Sequence, residues 1–301
     1  MPELPEVYTI VKYLHKTIKG ETFTKIWTDT PKILGGLASC KNIQLQLKGK
    51  KIISVTRVGK NILFNFSNEL TLLAHQKMSG HFLVGYWRRI STKGNSTWVL
   101  SSQKMRSEVR DALQNPSNRF IHVVIEFKSG KMLALSDMRK FARIEMIKSK
   151  ELYSKSRLQK LGPDWWDKPL TDRELLNKLK ASKKHLKLFL LDQDIAAGLG
   201  NIYVDESLFR ARLNPLRISS SLNLKEAQKL IIAIRKTLKL AILNKGTSFS
   251  DYRQANGEKG SYQNLLQVYG RKGKKCFRCQ TKLVGIKIGQ RSSVYCPFCQ
   301  K

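Results

Sequence analysis

Cys276-x-x-Cys279 and Cys296-x-x-Cys299 stand two by two near the end of the chain, with sixteen residues between the pairs, and the fifth cysteine, Cys40, is far away. Each Cys-x-x-Cys turn can aim two sulfurs at one tetrahedral ion. The intervening stretch is long enough for a hairpin that brings the second turn beside the first. The spacing predicts one structural Zn2+ held by four thiolates, with no position open for water. Two disulfides or a redox pair are the alternatives. A secreted disulfide domain would normally carry a signal peptide, and Met1-Pro-Glu-Leu-Pro-Glu-Val has no apolar run of that kind. Cys40 reads as a packed small side chain.

Pro2 is the second group able to do chemistry. If Met1 is removed, Pro2 becomes a free secondary amine at a helix start, where the positive dipole and nearby cations disfavour its protonated form. An α-amino group titrates near about 8 against about 10.4 for lysine, so far more of it is the neutral nucleophile at neutral pH. Attack of such an amine on a sugar C1′ would give an iminium, which acts as an electron sink for elimination. The plain alternative is that Pro2 only starts a helix. Glu3 and Glu6 fit both readings, as carboxylates stabilised in a first turn or as proton carriers beside the amine.

The elements that must position these groups fall into two halves. Leu4, Val7, Val11, Leu14 and Ile18 recur at three and four, the period of one helix face. Short apolar or alternating runs follow at 43–47, 52–55, 62–66, 70–73, 121–127, 132–135 and 144–147. They suggest an antiparallel sandwich. Residues 85–117 hold Arg88, Arg89, Lys93, Lys104, Arg106 and Arg110 without a clear strand pattern, and read as a long basic loop or insertion. After about Lys148 the period is helical. Thr171 with Glu174 makes a capping box for a helix to about Lys180, further helices are expected over 184–191 and from near Asn201, and Asn223 precedes a long one ended by Gly246. The stretch 246–261 reads as a mobile loop.

The chain has 301 residues, 56 Lys and Arg against 22 Asp and Glu, and a formal charge of +34. That excess exceeds what solubility needs and predicts a polyanionic partner, nucleic acid before an anionic membrane surface. No run approaches the roughly 20 apolar residues of a membrane span. The chain reads as soluble, intracellular and cytoplasmic.

Met1-Pro-Glu-Leu-Pro-Glu-Val, Met78-Ser-Gly, Asp137-Met-Arg-Lys-Phe141, Gly198-Leu-Gly-Asn-Ile-Tyr203, Gln267-Val-Tyr-Gly-Arg-Lys-Gly273 and the four cysteines, in that order, resemble the bacterial formamidopyrimidine-DNA glycosylase family over nearly the whole chain. The resemblance implies an α+β protein. Residues 1–148 would form a catalytic β-sandwich flanked by helices, 149–262 a helix-two-turn-helix DNA-binding domain, and 263–301 a zinc-finger hairpin. It implies a monomer acting on double-stranded DNA with oxidised bases or abasic sites, as glycosylase and as AP lyase by β,δ-elimination. Pro2 would be the Schiff-base nucleophile, Glu3 the proton donor for base loss and ring opening, Lys60 a proton donor near a phosphate, and Arg291 a phosphate grip with a role in δ-elimination. Met78, Arg139 and Phe141 match the side chains that fill the void left by a flipped base, which otherwise costs a few kcal/mol of stacking. Lys183, Lys187 and Asn201 match DNA contacts, Asn201 serving also as an N-cap. Met138, Lys140 and Ala142 stand where the family usually has proline, arginine and glycine. Phe120 replaces a histidine, with His122 nearby, and the basic segment from Arg88 to Ser117 is extra. Oxidised purines are the expected substrates. An endonuclease VIII-like enzyme for oxidised pyrimidines and a non-catalytic damaged-DNA or RNA-binding protein are the rivals.

Overall fold

The computed structural model describes residues 1–92, 95–101, 107–249 and 252–301. Lys93, Lys104 and Arg106 of the basic segment lie outside the described residues. The chain divides into two compact units, Met1–Gln159 with Lys245–Ser261, and Lys160–Asn244 with Tyr262–Lys301. No helix among the described residues is long and apolar enough to cross a membrane.

The first unit begins with α1 (Leu4–Ile18), whose buried stripe is Leu4, Val7, Ile10, Leu14 and Ile18. Next come β1 (Phe23–Thr28) and α2 (Leu37–Leu47). Ile43–Leu47, expected as a strand, is the last turn of α2. Its two buried apolar residues, Ile43 and Leu47, are four apart, the spacing of one helix face, and over five residues that pair fits either period. Eight strands follow with one helix among them: β2 (Ile52–Val58), β3 (Asn61–Phe66), β4 (Leu70–His75), β5 (His81–Gly85), β6 (Trp87–Thr92), β7 (Asn95–Leu100), α3 (Ser107–Leu113), β8 (Ile121–Phe127) and β9 (Met132–Ser136). β10 (Arg143–Lys148) and the short α4 (Leu152–Lys155) complete this part of the unit.

Two antiparallel four-stranded sheets result, ordered β1-β8-β9-β5 and β10-β4-β3-β2. The main core holds Phe82, Val84, Val123, Ile125, Leu133 and Leu135 from the first sheet with Ile62, Phe64, Leu72 and Ile144 from the second and the α1 stripe. Neighbouring residues of the first sheet, Leu83, Val124 and Ala134, point the other way into a second cluster with Trp87 and Leu113, against which Trp27 and Trp98 pack. That sheet is therefore buried on both faces, which is why its strands read as continuous apolar runs rather than alternating ones. The cover explains the correction to the basic segment. Among the described residues it is a β6–β7 hairpin and a helix whose apolar side chains close the outer face, with Arg88 exposed and the Arg89 guanidinium 5.2 Å from the centre of the Trp27 ring.

The second unit contains α5 (Asp172–Lys180), α6 (Leu186–Leu191), α7 (Asn201–Ala211) and α8 (Leu224–Leu243), then the hairpin β11 (Val284–Ile288) and β12 (Arg291–Tyr295). The expected capping box of Thr171 with Glu174 forms, and a second one joins Asn223 to Glu226. α8 buries Ala227, Leu230, Ile231, Ile234, Leu238 and Ala241 of the stripe its period predicts, whereas Leu224, expected with them, is exposed as the first residue of the helix. The stretch 246–261, expected as a mobile loop, returns to the first unit. There Tyr252 and Ala255 are buried in the main core and the Val84 amide donates to the Ala255 carbonyl at 2.9 Å.

Candidate active site

The start of α1 is enclosed. Pro2 and Glu3 are buried, Glu3 occupies the N-cap, and a capping box joins it to Glu6. One Glu6 oxygen accepts the Glu3 amide and the other the Thr247 amide, each at 2.8 Å. Its carboxylate is thus committed to backbone donors from both sides, which favours the capping role over the proton-carrier one. Gly246 makes this approach feasible: at φ +81° a Cβ there would stand 2.6 Å from Glu6 Oε1. Tyr252 lies beside the same carboxylate, and burial, then the Glu6 charge, pushes its phenol well above the ordinary tyrosine range. Its hydroxyl donates to the Lys245 carbonyl at 3.1 Å.

Lys60 sits in the two-residue turn joining β2 to β3, after Gly59, and is 7% exposed. The turn is held by Arg57, whose Nη1 donates to the Gly59 carbonyl at 2.7 Å. His75, at the end of β4 opposite Asn61, was not anticipated. Burial above all, then the charges of Lys77, Arg157 and Lys60, lowers its pKa from 6.5 to about 3. The ring is neutral, with Nδ1 accepting the Lys77 amide at 2.9 Å. A lone histidine closing an apolar strand just before the Met78 motif was the available signal.

Met78, Arg139 and Phe141 come together on the surface of the same unit. The Arg139 guanidinium lies 3.0 Å from Met78 Sδ and 4.6 Å from the centre of the Phe141 ring. Met78 is 46% and Phe141 45% exposed, so a flexible thioether, a guanidinium and a phenyl ring form one solvent-facing cluster rather than core packing. Lys140 between them adopts φ +54°, which turns the chain so that its two neighbours project together. His122, near Phe120, is occupied by Asp29, whose oxygens lie 2.9 and 3.0 Å from its Nδ1.

In the second unit Lys183 is exposed, but Lys187 is not. Its side chain is 0% exposed, with Nζ 2.6 Å from Asp205 Oδ1 and 3.2 Å from the Ser292 carbonyl. Asp205 also accepts from the Ser293 hydroxyl at 2.6 Å and the Val294 amide at 3.0 Å. Burial raises the Asp205 carboxyl despite these donors. The surface-contact reading of Lys187 is therefore corrected: this lysine joins α6 and α7 to β12 and offers no charge to solvent. Asn201 is the first residue of α7 while Gly200 is its N-cap, which corrects the capping role expected of Asn201. Arg291 is exposed at the hairpin tip, where Ile288 pairs with it across Gly289-Gln290.

The four thiols converge, each sulfur within 4.8 Å of the others, and none is in a disulfide. A tetrahedral tetrathiolate site has edges of about 3.8 Å. Backbone amides of Arg278 and Cys299 point at the Cys276 and Cys296 sulfurs at 3.4 Å, the donors expected around thiolates held on an ion. Cys276 and Cys296 are buried with Phe209, Val268 and Leu283, so the cluster is also the small core of this module. Glu206 anchors the approach to it, accepting the Gln267, Val268 and Tyr269 amides.

Three family models match in chain order. Residues 1–144 match the formamidopyrimidine-DNA glycosylase N-terminal domain, 161–252 its H2TH domain, and 273–301 the zinc finger found in FPG and IleRS. A formamidopyrimidine-DNA glycosylase of Pelotomaculum thermopropionicum is 36% identical over 301 residues, covering 100% of this chain and 99% of that protein. One of Lactobacillus johnsonii is 33% identical with the same coverage. Among solved structures, a complex between the Lactococcus lactis Fpg and an abasic site containing DNA aligns with TM-score 0.83 and 30% identity over 100% of both chains. A MutM complex with carbocyclic 8-oxo-G containing DNA aligns with TM-score 0.82 and 29% identity, again over 100% of both.

Proposed function

From the premise that this chain belongs to the formamidopyrimidine-DNA glycosylase family, we propose that it is a base excision repair enzyme that removes oxidised purines and nicks the strand at the resulting abasic site. The observation that carries the reading is the enclosed start of α1, where Pro2 and Glu3 are buried beside a Glu6 whose oxygens are already taken.

Once Met1 is lost, the Pro2 nitrogen attacks C1′ of the damaged nucleotide. The glycosidic bond breaks, its electron pair leaves with the base, and the base takes up a proton. Glu3, the carboxyl adjacent to the amine and tied by the capping box to the Glu6 amide, supplies a proton to the opening sugar ring. The iminium formed at C1′ acidifies C2′. Loss of a C2′ proton expels the 3′ phosphate, and a second elimination expels the 5′ phosphate. Lys60, held by the Gly59 turn, and Arg291, on the hairpin tip, are the cations assigned to those leaving phosphates. Met78, Arg139 and Phe141 fill the gap in the duplex, and Lys183 and Asn201 contact the backbone. Cys276, Cys279, Cys296 and Cys299 would hold one Zn2+ through four thiolates, and the ion would supply rigidity to the hairpin that carries Arg291.

Borohydride reduction in the presence of an abasic duplex is the test. The wild-type chain should become covalently joined to DNA and Pro2→Gly should not. Equal trapping by both would refute the assignment of the nucleophile. Duplexes holding 8-oxoguanine or thymine glycol test the substrate, and action confined to the pyrimidine lesion would refute the purine reading.

A further inference from the structure

A buried hydrogen-bond chain runs from the extra segment to the exposed cluster of Met78, Arg139 and Phe141. Asn118, the residue after that segment and 3% exposed, donates through Nδ2 to the Ala112 carbonyl at 2.9 Å, at the end of α3. Its Oδ1 lies 2.9 Å from Nε2 of His81, itself 2% exposed. The other ring nitrogen of His81 lies 3.2 Å from the Ser79 carbonyl. Ser79 then donates its hydroxyl to Asp137 Oδ1 at 2.5 Å, and the Arg139 amide donates to the same hydroxyl oxygen at 3.1 Å. Asp137 is 0% exposed, and its second oxygen accepts the Ala142 amide at 2.8 Å.

Every link lies between 2.5 and 3.2 Å, and the side chains of Asn118, His81, Ser79 and Asp137 are all buried, whereas exposed Arg139 takes part through its amide. Ser79 directly follows Met78, and Asp137 opens the six-residue loop 137–142 that carries Arg139 and Phe141. The two loops are therefore joined through one carboxylate, and that joint is braced from α3. A side chain that must enter a base stack needs a fixed backbone behind it, because loosening by about 1 Å costs on the order of a hundredfold in rate.

We propose that Asp137, Ser79, His81 and Asn118 are positioning residues for the void-filling cluster, and that the extra segment serves as its brace as well as cover for the sheet. The inference rests on the function proposed above for Met78, Arg139 and Phe141. It differs from a general stabilising role in one respect. The cluster is needed only when a base leaves a duplex, so a loosened brace should spare chemistry on a strand that has no stack to open.

The experiment compares Asp137→Asn and Asn118→Ala with wild type. Asp137→Asn puts an amide group against the Ala142 N–H, and Asn118→Ala removes the brace from a distance. Excision of 8-oxoguanine is measured in duplex and in single-stranded oligonucleotides, together with thermal melting. The fluorescence of 2-aminopurine opposite a stable abasic analogue reports entry of the cluster into the stack. Both variants should lose about tenfold or more on the duplex and most of the fluorescence response, with single-strand excision within about twofold of wild type. Equal loss on both substrates, or no loss on either, would overturn the proposal. Should Asp137→Asn fail to fold, Asn118→Ala decides. A wild-type chain inactive on both oligonucleotides would count against the function itself, and the fluorescence arm would still judge the brace.

Discussion

Lys187→Ala separates a surface cation from a buried one. With both partners essentially inaccessible and Nζ 2.6 Å from Asp205, removing the lysine leaves a carboxylate in the interior with only the Ser293 hydroxyl and the Val294 amide to satisfy it. Breaking such a pair from one side costs about 3–5 kcal/mol. The unit that contains it, Lys160–Asn244 with Tyr262–Lys301, has the size of an ordinary domain, for which that loss lowers the melting temperature by about 10–20 °C. DNA affinity measured across a salt series on the folded fraction should keep its wild-type slope, because no phosphate contact has been removed. Lys183→Ala is the converse case. Stability should stay within about 0.5 kcal/mol of wild type, while the slope of log affinity against log salt falls by about 0.9. Lys187→Ala with unchanged melting and a slope reduced by one phosphate would refute the structural argument. A double change of Lys187→Met with Asp205→Leu should recover most of the lost stability, since it leaves no orphaned charge.

His75 predicts an acid sensitivity. Its folded pKa of about 3 lies below the unfolded value of 6.5, so the unfolded chain takes up a proton first and stability falls as pH drops through that window. The loss at pH 5 is about 2 kcal/mol, and urea titrations of His75→Gln should show a correspondingly shallower decline between pH 7 and 5; equal declines would refute it. Gly246→Ala forces both an unfavourable backbone angle and a contact with Glu6 Oε1, and should cost at least about 1 kcal/mol with a fall in borohydride trapping; a neutral outcome would contradict the close approach. Zinc chelation or Cys279→Ser should abolish DNA binding in a filter or fluorescence assay while the first unit keeps its melting transition, since its core contains no cysteine ligand.

Much of the site was legible because its signals are local. The Cys-x-x-Cys turns, the Thr171 capping box and most of the α8 stripe each rest on spacings within one element, and spacing survives whatever the rest of the chain does. What escaped depends on distant partners. Lys187 looks like any surface lysine until Asp205, eighteen residues on, and β12 close over it. The β6–β7 hairpin with its cations resembled a loop because its apolar residues answer to the outer face of a sheet built from other strands. His75 and Tyr252 owe their shifted ionisation to burial, which composition does not record. The end of α2 read as a strand because Ile43, Leu45 and Leu47 alternate, a period that the exposed Leu45 supplies although only Ile43 and Leu47 are buried.

The first unit is sewn shut by a late thread. Glu6, in the first turn of the chain, receives its second donor from Thr247, 241 positions away in sequence. During synthesis from the ribosome, the amino end therefore waits, half finished, until the whole helical segment has been made. A truncated product lacking that thread would carry the start of α1 without one of the two donors that hold Glu6. Closing so long a loop is slow relative to local folding, so the enclosure of the amino end is completed late, after the strands and helices that lie between its two halves in sequence.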